Sequence, residues 1–255
     1  MRKILLNFSG LVCIFLIFAK PGSHPEMVIY KTINKTELRL VIYTPETETM
    51  AFPAIMFFHG HGSDYHQFEH QAIHLCFRGM VSILVEYRDP TGGEGYEISS
   101  DDARSAVQYV AEHLQNLKIN SGKIVLSGGS KGGYLALATG IERIKGLNPC
   151  AYVLFNPALR FDSIPDFVSP IIILHGTNDV AILPSSIEEF KNRIIEKKGK
   201  CQVIYYEGQK HGFFNYKDEG NPYFKETLMA SDSFLTELGL IKPINYSNES
   251  WYMGN

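Results

Sequence analysis

The sequence predicts an α/β protein with a mostly parallel central sheet of about eight strands and helices on both faces. Apolar runs of strand length alternate along the chain with segments in which apolar residues recur at helical spacing. This alternation is typical of βαβ units, in which a helix connects two parallel strands. The chain has 255 residues, of which 45% are hydrophobic, so it can bury one sizeable core and we expect a single domain.

The first predicted elements are a hairpin that turns at Asn34 and Lys35, followed by strands that are buried on both faces. Between these strands lies a helix that is expected to end at Gly79. A second helix is predicted to begin with Ser99 or Ser100 as its N-cap, because serine caps well and two aspartates follow in the first turn. The strands predicted in this half are residues 27–33, 37–43, 54–58 and 81–85.

The second half of the chain continues the alternation of strands and helices. A helix rich in small residues follows the first of these strands, and the last helix is expected to end at Gly239. No internal repeat interrupts the series. The strands predicted in this half are residues 123–127, 151–155, 171–174 and 202–206.

The N-terminus has the layout of a secretory signal peptide. A short positive region precedes an apolar run, and Ala19 lies where cleavage is expected. The apolar run is short and interrupted for a membrane span, although an uncleaved anchor or a lipoprotein are alternatives. We therefore predict a signal peptide at 1–19, one domain at 24–242 and a polar tail at 243–255, and we expect the protein to be secreted or periplasmic.

Composition excludes several kinds of partner. The formal net charge is −3 and no basic stripe is present, so we expect no nucleic-acid partner. The mature chain would keep Cys76, Cys150 and Cys201, an odd number that allows at most one disulfide. Their spacing gives no metal motif, and small buried side chains are the favoured interpretation. We expect neither a cofactor nor a metal, and the sequence leaves the oligomeric state open.

The strongest chemical signal is a Gly-Gly-Ser-Lys-Gly-Gly run between a predicted strand and a predicted helix. It matches the G-x-S-x-G nucleophile elbow, in which glycines let the strand and the helix pass closely around a strained serine. This predicts Ser130 as the nucleophile. The alternatives are a glycine-rich turn and a phosphate-binding loop. A phosphate loop needs Ser or Thr after its lysine, whereas Gly132 follows Lys131.

Two further polar residues follow later strands of the predicted sheet. Asp179 comes after the strand 171–174, and His211 comes after the strand 202–206. The carboxyl ends of parallel strands meet at the edge where open α/β sheets bind ligands. The chain order Ser, Asp, His is also the one used by this elbow architecture. We therefore predict that His211 is the general base and that Asp179 orients its imidazole.

A His-Gly-His-Gly run follows the third predicted strand, where a loop of this type supplies a backbone N–H to an oxyanion hole. The predicted donors are the N–H groups of His61 and Gly62, together with that of Lys131 after the nucleophile. Whether the His61 imidazole also contacts the substrate stays open. A metal pair of His59 and His61, with His66 and His70 close by, is the weaker alternative, because no carboxylate or cysteine cluster completes a site.

From Phe57 to Phe214 the chain resembles the esterase/lipase branch of the α/β-hydrolase superfamily, near the bacterial acetyl-esterases and feruloyl-esterase-like carboxylesterases. The resemblance implies cofactor-free hydrolysis of carboxylic esters through an acyl-enzyme intermediate, often of acyl groups on plant or algal polysaccharides. Two residues depart from the pattern: His61 replaces a glycine, and Lys131 replaces a small residue. The shared motifs are FHGHG (58–62), RGM (78–80), EYR (86–88), DA (102–103), SGGS (127–130), FNPA (155–158), HGTND (175–179) and GQKHGF (208–213).

The resemblance also bears on the substrate. Relatives insert a lid between the strands 151–155 and 171–174, and only a short segment lies there in this chain, so no large lid is expected. An open site favours short acyl groups, with acetyl groups on carbohydrates as a candidate. If Asp179 is not the acid, Asp162 and Asp166 are the next candidates.

Two other classes of function compete with an esterase. A serine peptidase resembling the catalytic domain of prolyl oligopeptidases would share the elbow and the His-Gly-Phe ending. Those enzymes carry a large propeller, for which this chain has no room. A non-catalytic binding protein on a hydrolase scaffold is disfavoured, because Ser, Asp and His are all present in the expected order.

Overall fold

The computed structural model describes residues 25–47, 49, 51–91, 95–142, 144, 147–161, 169–217 and 220–245. The predicted signal peptide and residues 246–255 of the predicted tail lie outside this described part. Within it, no helix combines the length and the apolar character needed to cross a membrane.

The described residues form one eight-stranded sheet in the order β1-β2-β4-β3-β5-β6-β7-β8. β2 pairs antiparallel with both β1 and β4, and all other neighbouring strands are parallel, which confirms the predicted mostly parallel sheet. The strands are β1 (Glu26–Ile33), β2 (Thr36–Tyr43), β3 (Phe52–Phe58), β4 (Val81–Val85), β5 (Ile119–Gly129), β6 (Ala151–Phe155), β7 (Ile171–Gly176) and β8 (Cys201–Tyr206). The helices are α1 (Glu69–Phe77), α2 (Gly95–Glu112), α3 (Lys131–Ile141), α4 (Pro184–Glu196) and α5 (Pro222–Glu237), and a short 3₁₀ helix (Tyr65–Phe68) precedes α1.

The hairpin turns where the sequence predicts it. Asn34 and Lys35 have φ angles of 48° and 71°, and Ile33 pairs with Thr36. Positive φ at both central residues matches the twist of the flanking strands, and asparagine tolerates that conformation better than most residues.

The central strands are buried because helices cover both faces of the sheet. In β3, Met56 and Phe58 belong to the core under α2 and α3, whereas Ile55 and Phe57 belong to the core under α1 and α5. Alternate side chains of a strand point to opposite faces, so one apolar run supplies two cores. This confirms the predicted helices on both faces.

The prediction that Ser99 or Ser100 caps α2 is wrong, because the helix begins at Gly95. Ser99 lies inside the helix and its Oγ donates to the carbonyls of Arg88 at 2.7 Å and Gly95 at 2.8 Å. Asp102 is buried and accepts two hydrogen bonds from the Arg88 guanidinium at 2.8 and 2.9 Å. Ser99 and Asp102, which the sequence suggests as a cap and as a charge complementing the helix dipole, instead form hydrogen bonds with Arg88 outside the helix.

The three cysteines of the described part carry free thiols. Cys76 is buried, and burial raises the pKa of both Cys76 and Cys201 to about 12. Their thiols therefore stay protonated at neutral pH and are poor nucleophiles.

The segment between β6 and β7 includes residues 162–168, which lie outside the described residues. The absence of a large lid therefore stays a prediction. The alternative acids Asp162 and Asp166 belong to the same segment, and their position relative to the site is likewise outside the described part.

Candidate active site

The carboxyl ends of the parallel strands bring the predicted site residues to one edge of the sheet. Ser130 follows β5, Asp179 lies three residues after β7, and His211 lies five residues after β8. Asn156 follows β6 at the same edge. Open α/β sheets bind their ligands at this edge, so the topology alone gathers these polar side chains.

The elbow at Ser130 has the strained backbone that a nucleophile requires. Its φ and ψ angles are 51° and −118°, a region that non-glycine residues rarely adopt. The turn is held by two backbone bonds, from Ser130 N–H to the Phe155 carbonyl and from Ala158 N–H to the Ser130 carbonyl, both at 2.9 Å. A Cβ on Gly132 would collide with the carbonyl oxygens of Phe58 and of the residue that follows Phe58. This explains the glycine two positions after the serine.

Asp179 and His211 are in direct contact. His211 Nδ1 donates to Asp179 Oδ2 at 2.7 Å, because a carboxylate can only accept. This bond fixes the tautomer whose Nε2 is free of a proton and can accept one from a hydroxyl. The Asp179 side chain is fully buried, whereas that of His211 remains 32% exposed and accessible to a substrate.

Four hydrogen bonds fix the Asp179 carboxylate. Oδ2 accepts from His211 and, at 2.9 Å, from Asn156 Nδ2. Oδ1 accepts from the backbone N–H groups of Ala181 and Ile182, both at 2.9 Å. Both oxygens are therefore held, and the carboxylate cannot rotate away from the imidazole.

His175 lies behind the acid at the end of β7. Its Nε2 is 3.1 Å from the Ile182 carbonyl, which can only accept, so this nitrogen carries the proton. Burial lowers the pKa of His175, which keeps the ring neutral beside Asp179. The ring supports the loop that carries the acid.

The structure brings the loop that carries His211 against the elbow. Phe214 packs on Gly129, directly before the nucleophile, and a Cβ at Gly129 would lie 2.8 Å from its ring. Phe214 also stacks with Phe68 at 5.7 Å, which joins the elbow, the histidine loop and the 3₁₀ helix in one aromatic cluster. The three predicted triad residues thus share one rigid edge, with Ser130 presented by the strained turn.

The predicted oxyanion loop, residues 59–62, is held by three side chains. The Tyr87 hydroxyl donates to the His59 carbonyl. Gly60 N–H donates to Gln67 Oε1 at 2.6 Å, and Gly62 N–H donates to Asp89 Oδ2 at 2.7 Å. Both glycine amides of the loop are therefore occupied.

This occupancy corrects one predicted donor. Gly62 N–H is bonded to Asp89 and is not available to an oxyanion. The His61 N–H, which lies between the two occupied amides, donates to none of the described residues. The Lys131 N–H lies in the first turn of α3, where a helix leaves its N–H groups without internal partners. The predicted oxyanion donors that remain are the amides of His61 and Lys131.

The side chains of His61 and Lys131 both turn towards Asp89. His61 Nδ1 lies 3.0 Å from Asp89 Oδ1, with the imidazole 53% exposed. Lys131 Nζ donates to Asp89 Oδ1 at 2.6 Å and to the Gly95 carbonyl at 2.9 Å, and its side chain is buried. Among the described residues, no group of three or more His, Cys, Asp or Glu side chains could hold a metal ion.

Two cavities flank the oxyanion loop. The smaller one, of about 170 Å³, reaches Ser130 and is lined by His61, Pro90, Gly95, Tyr96, Ser130 and Lys131. The larger one, of about 610 Å³, is an open polar groove. It is lined by Gly62, Ser63, Asp64, His66, Gln67, Glu69, His70, Asn215 and Tyr216.

Sequence reasoning missed four residues that shape the site: Tyr87, Asp89, Gln67 and Asn156. Asn156 directly follows β6, so its place at the carboxyl edge of the sheet was a usable signal. Asp89 comes four residues after β4 and also lies near that edge. Tyr87 lies in the shared EYR motif, which marks the residue but not its bond to the oxyanion loop, and Gln67 carries no signal of its own.

Comparisons with known proteins identify the family of the chain. A family profile described as BD-FAE matches residues 40–149, and the profile of the dienelactone hydrolase family matches residues 95–237. The chain belongs to the dienelactone hydrolase family. It therefore has the α/β-hydrolase fold, and the predicted resemblance to that superfamily is confirmed. Among curated proteins, none matches the sequence.

Several solved structures similar to this α/β-hydrolase are of esterase 2 from the planctomycete Thermogutta terrifontis. The form phosphorylated by paraoxon is 30% identical, with a TM-score of 0.78, over 88% of this chain and 97% of that chain. The propionate-bound form is 29% identical, with a TM-score of 0.77, over 89% and 98%. The butyrate-bound form is 28% identical, with a TM-score of 0.77, over 88% and 98%. This homology identifies the chain as a carboxylesterase of the serine hydrolase type.

Proposed function

We propose that the enzyme hydrolyses esters of short-chain carboxylic acids, with Ser130 as nucleophile, His211 as general base and acid, and Asp179 as the residue that orients the histidine. The observation that carries this proposal is the bond between His211 Nδ1 and Asp179 Oδ2 at 2.7 Å, at the same edge as the strained Ser130. That bond leaves the other ring nitrogen able to take a proton from a serine hydroxyl.

The reaction then proceeds in two steps. Ser130 Oγ attacks the ester carbonyl carbon while His211 Nε2 takes the hydroxyl proton, and the amides of His61 and Lys131 stabilise the oxyanion. His211 returns the proton to the departing alcohol, which leaves an acyl group on Ser130. A water molecule attacks this acyl-enzyme with the same histidine as base, and the carboxylic acid is released.

The small cavity supports short acyl groups. Its volume of about 170 Å³ is below the roughly 300–1,000 Å³ of ordinary small-molecule sites, so it holds one arm of an ester. Tyr96 and Gly95 line it together with Ser130. Thermogutta esterase 2 was solved with propionate and with butyrate, which agrees with an acyl arm of this length.

The open groove supports a polyhydroxylated alcohol on the leaving side. It is lined by Asn215 and Tyr216, which follow His211 in the chain, and His211 is the residue that protonates the departing alcohol. The carboxylates of Asp64 and Glu69 and the imidazole of His66 offer hydrogen bonds to hydroxyl groups. An acetylated carbohydrate fits this combination of a small acyl arm and a polar groove.

A series of p-nitrophenyl esters tests the acyl length. We expect kcat/KM to be highest for acetate, propionate or butyrate and to fall by at least about tenfold for octanoate, since each misplaced methylene costs about 1–3 kcal/mol in a closed pocket. A preference for octanoate would contradict the short-chain proposal.

A second experiment tests the alcohol side. His66→Ala should raise KM about threefold to tenfold for an acetylated oligosaccharide, the worth of one hydrogen bond, and leave p-nitrophenyl acetate unaffected. The matched control is His113→Ala, because His113 is also partly exposed and stacks on Tyr109 at 4.0 Å but follows α2, at the opposite edge of the sheet. Equal effects of the two variants would remove the groove from the proposal.

The export of the enzyme is a separate part of this proposal. It rests on the signal-like residues 1–19 alone. Expression in a bacterial host followed by N-terminal sequencing should give a mature chain that begins after Ala19. A full-length chain in the cytoplasmic fraction would contradict it.

A further inference from the structure

Asp89 contacts both parts of the oxyanion hole. Its Oδ2 accepts the N–H of Gly62 at 2.7 Å, which holds the loop that presents the His61 amide. Its Oδ1 accepts from Lys131 Nζ at 2.6 Å, and Lys131 supplies the second oxyanion amide. The Asp89 side chain is only 10% exposed and that of Lys131 only 3%, so the ion pair between them is largely shielded from water.

The charges of this cluster are balanced. The ammonium of Lys131 is buried and pairs with Asp89, since a buried charge without a partner is costly. Burial alone would raise the pKa of Asp89, but hydrogen bonds from His61, Lys131 and Gly62 N–H outweigh it and hold the pKa at about 2. The carboxylate is therefore ionised at neutral pH and accepts from all three groups.

A second side chain holds the other end of the loop. Gln67 Oε1 accepts the Gly60 N–H at 2.6 Å, and its Nε2 donates to Asn215 Oδ1 at 2.9 Å, on the loop that carries His211. The amides on both sides of His61 are thus fixed, one towards the histidine loop and one, through Asp89, towards the elbow. With both neighbours held, the plane of the His61 amide has little freedom to turn.

We propose that Asp89 is a positioning residue, which aligns the two oxyanion amides by joining Gly62 of the loop to Lys131 of the elbow. This role rests on the proposed ester hydrolysis at Ser130. Oxyanion donors act through preorganisation, and a shift of about half an ångström is enough to weaken them. Asp89 acts through the amides and does not itself contact the substrate. The competing explanation is that Asp89 only neutralises the buried ammonium of Lys131.

Single variants measure the size of the effect. Asp89→Ala should lower kcat for p-nitrophenyl acetate about 10²-fold, as when one oxyanion donor is lost, with KM within about threefold. Asp89→Asn keeps one acceptor for Gly62 N–H and should lose less, about tenfold. The rate of phosphorylation by paraoxon should fall in parallel with kcat, because the phosphoryl oxygen uses the same amides.

A double variant separates positioning from charge neutralisation. Asp89→Ala combined with Lys131→Met removes both buried charges and keeps the Lys131 backbone N–H, so it remains able to fold even if the single variant is unstable. If Asp89 aligns the loop, the double variant stays about 10²-fold slow. If Asp89 only neutralises Lys131, the double variant regains wild-type kcat, and the proposal is overturned.

A matched control accounts for general destabilisation. Asp232→Asn removes another buried carboxylate, which accepts from Arg78 Nε at 2.9 Å near the opposite edge of the sheet, and should lower Tm without lowering kcat. A kcat loss in Asp232→Asn equal to that of Asp89→Ala would overturn the positioning role. Wild-type hydrolysis and its loss in Ser130→Ala are measured alongside, so a failure of the proposed function is recognised separately.

Discussion

The acid–base pair and the oxyanion loop are both held by side-chain hydrogen bonds, but their supports come from different parts of the chain. Asp179 receives two of its four hydrogen bonds from the backbone N–H groups of Ala181 and Ile182 in its own loop, and one from Asn156 at the end of the neighbouring strand. The two glycine amides of the oxyanion loop bond instead to the side chains of Gln67, in the 3₁₀ helix that follows the loop, and of Asp89. The acid is therefore held partly by backbone groups of its own loop, whereas the oxyanion loop is held by side chains from outside it.

The difference predicts how each half fails. A change in the acid–base half removes proton transfer, which the other groups cannot replace. A change in the oxyanion half shifts a backbone donor that stays in the molecule, so part of its effect persists. Removal of a triad side chain should therefore cost more than removal of a side chain that supports the oxyanion loop.

Ser130 depends on both halves, since its proton goes to the acid–base pair and its oxyanion to the loop. Its removal should therefore have the largest effect. Ser130→Ala should lower kcat on the order of 10⁶-fold, as found when a triad nucleophile is lost, with the Tm close to that of the wild type. Steady-state kinetics on p-nitrophenyl acetate and thermal unfolding measure both. A variant that retains more than about a tenth of wild-type kcat/KM would exclude Ser130 as the nucleophile.

Asp179→Asn tests the acid–base half. The amide can donate to His211 Nδ1 and so favours the wrong tautomer, and kcat should fall about 10⁴-fold. Single-turnover kinetics should show the loss in the chemical step. Near-normal turnover would move the acid elsewhere, to Asp162 or Asp166.

Asn156→Ala asks how much of the acid's position comes from a neighbouring strand. It removes one of four hydrogen bonds to the Asp179 carboxylate. A hydrogen bond to a charged group is worth about 1.5–3 kcal/mol, and the three remaining bonds limit the shift, so kcat should fall about tenfold. If kcat falls as far in this variant as in Asp179→Asn, the loop bonds do not hold the acid by themselves, and the contrast between the two halves of the site is contradicted.

His61→Ala should have the smallest effect. Its backbone N–H remains, Gly62 N–H still bonds to Asp89, and the imidazole is half exposed beside that carboxylate. We expect kcat within about threefold of the wild type, since the hole is built from main-chain donors. A hundredfold loss with an unchanged Tm would show that the imidazole contacts the developing charge.

The sequence predicts the triad because its signals are local. Ser130 lies in a motif, and Asp179 and His211 each follow an apolar strand, so the parallel sheet brings them to one edge. Asn156 has the same signal and could have been found. The N-terminus of α2 could not have been found in this way. Ser99 and Asp102 are residue types that favour a helix start, but here they lie inside the helix and bond to Arg88.

The oxyanion loop shows the limit of sequence interpretation. The glycines mark where the backbone approaches a ligand, but they do not say which amide faces it. That choice depends on Asp89, which removes Gly62 N–H from the set of donors, and on Gln67, which removes Gly60 N–H. Asp89 comes from a segment after β4, and Gln67 from the 3₁₀ helix that follows the loop, so neither bond can be read from the glycine motif itself.

The most direct test of the account is the reaction of the enzyme with paraoxon. Ser130 Oγ should attack the phosphorus and displace p-nitrophenolate, so one equivalent of p-nitrophenolate is released. Ester hydrolysis should be lost in proportion to the p-nitrophenolate released, and peptide mapping should find one diethylphosphoryl group, on Ser130. A diethylphosphoryl group on another residue, or continued ester hydrolysis by enzyme that is fully phosphorylated, would contradict Ser130 as the nucleophile.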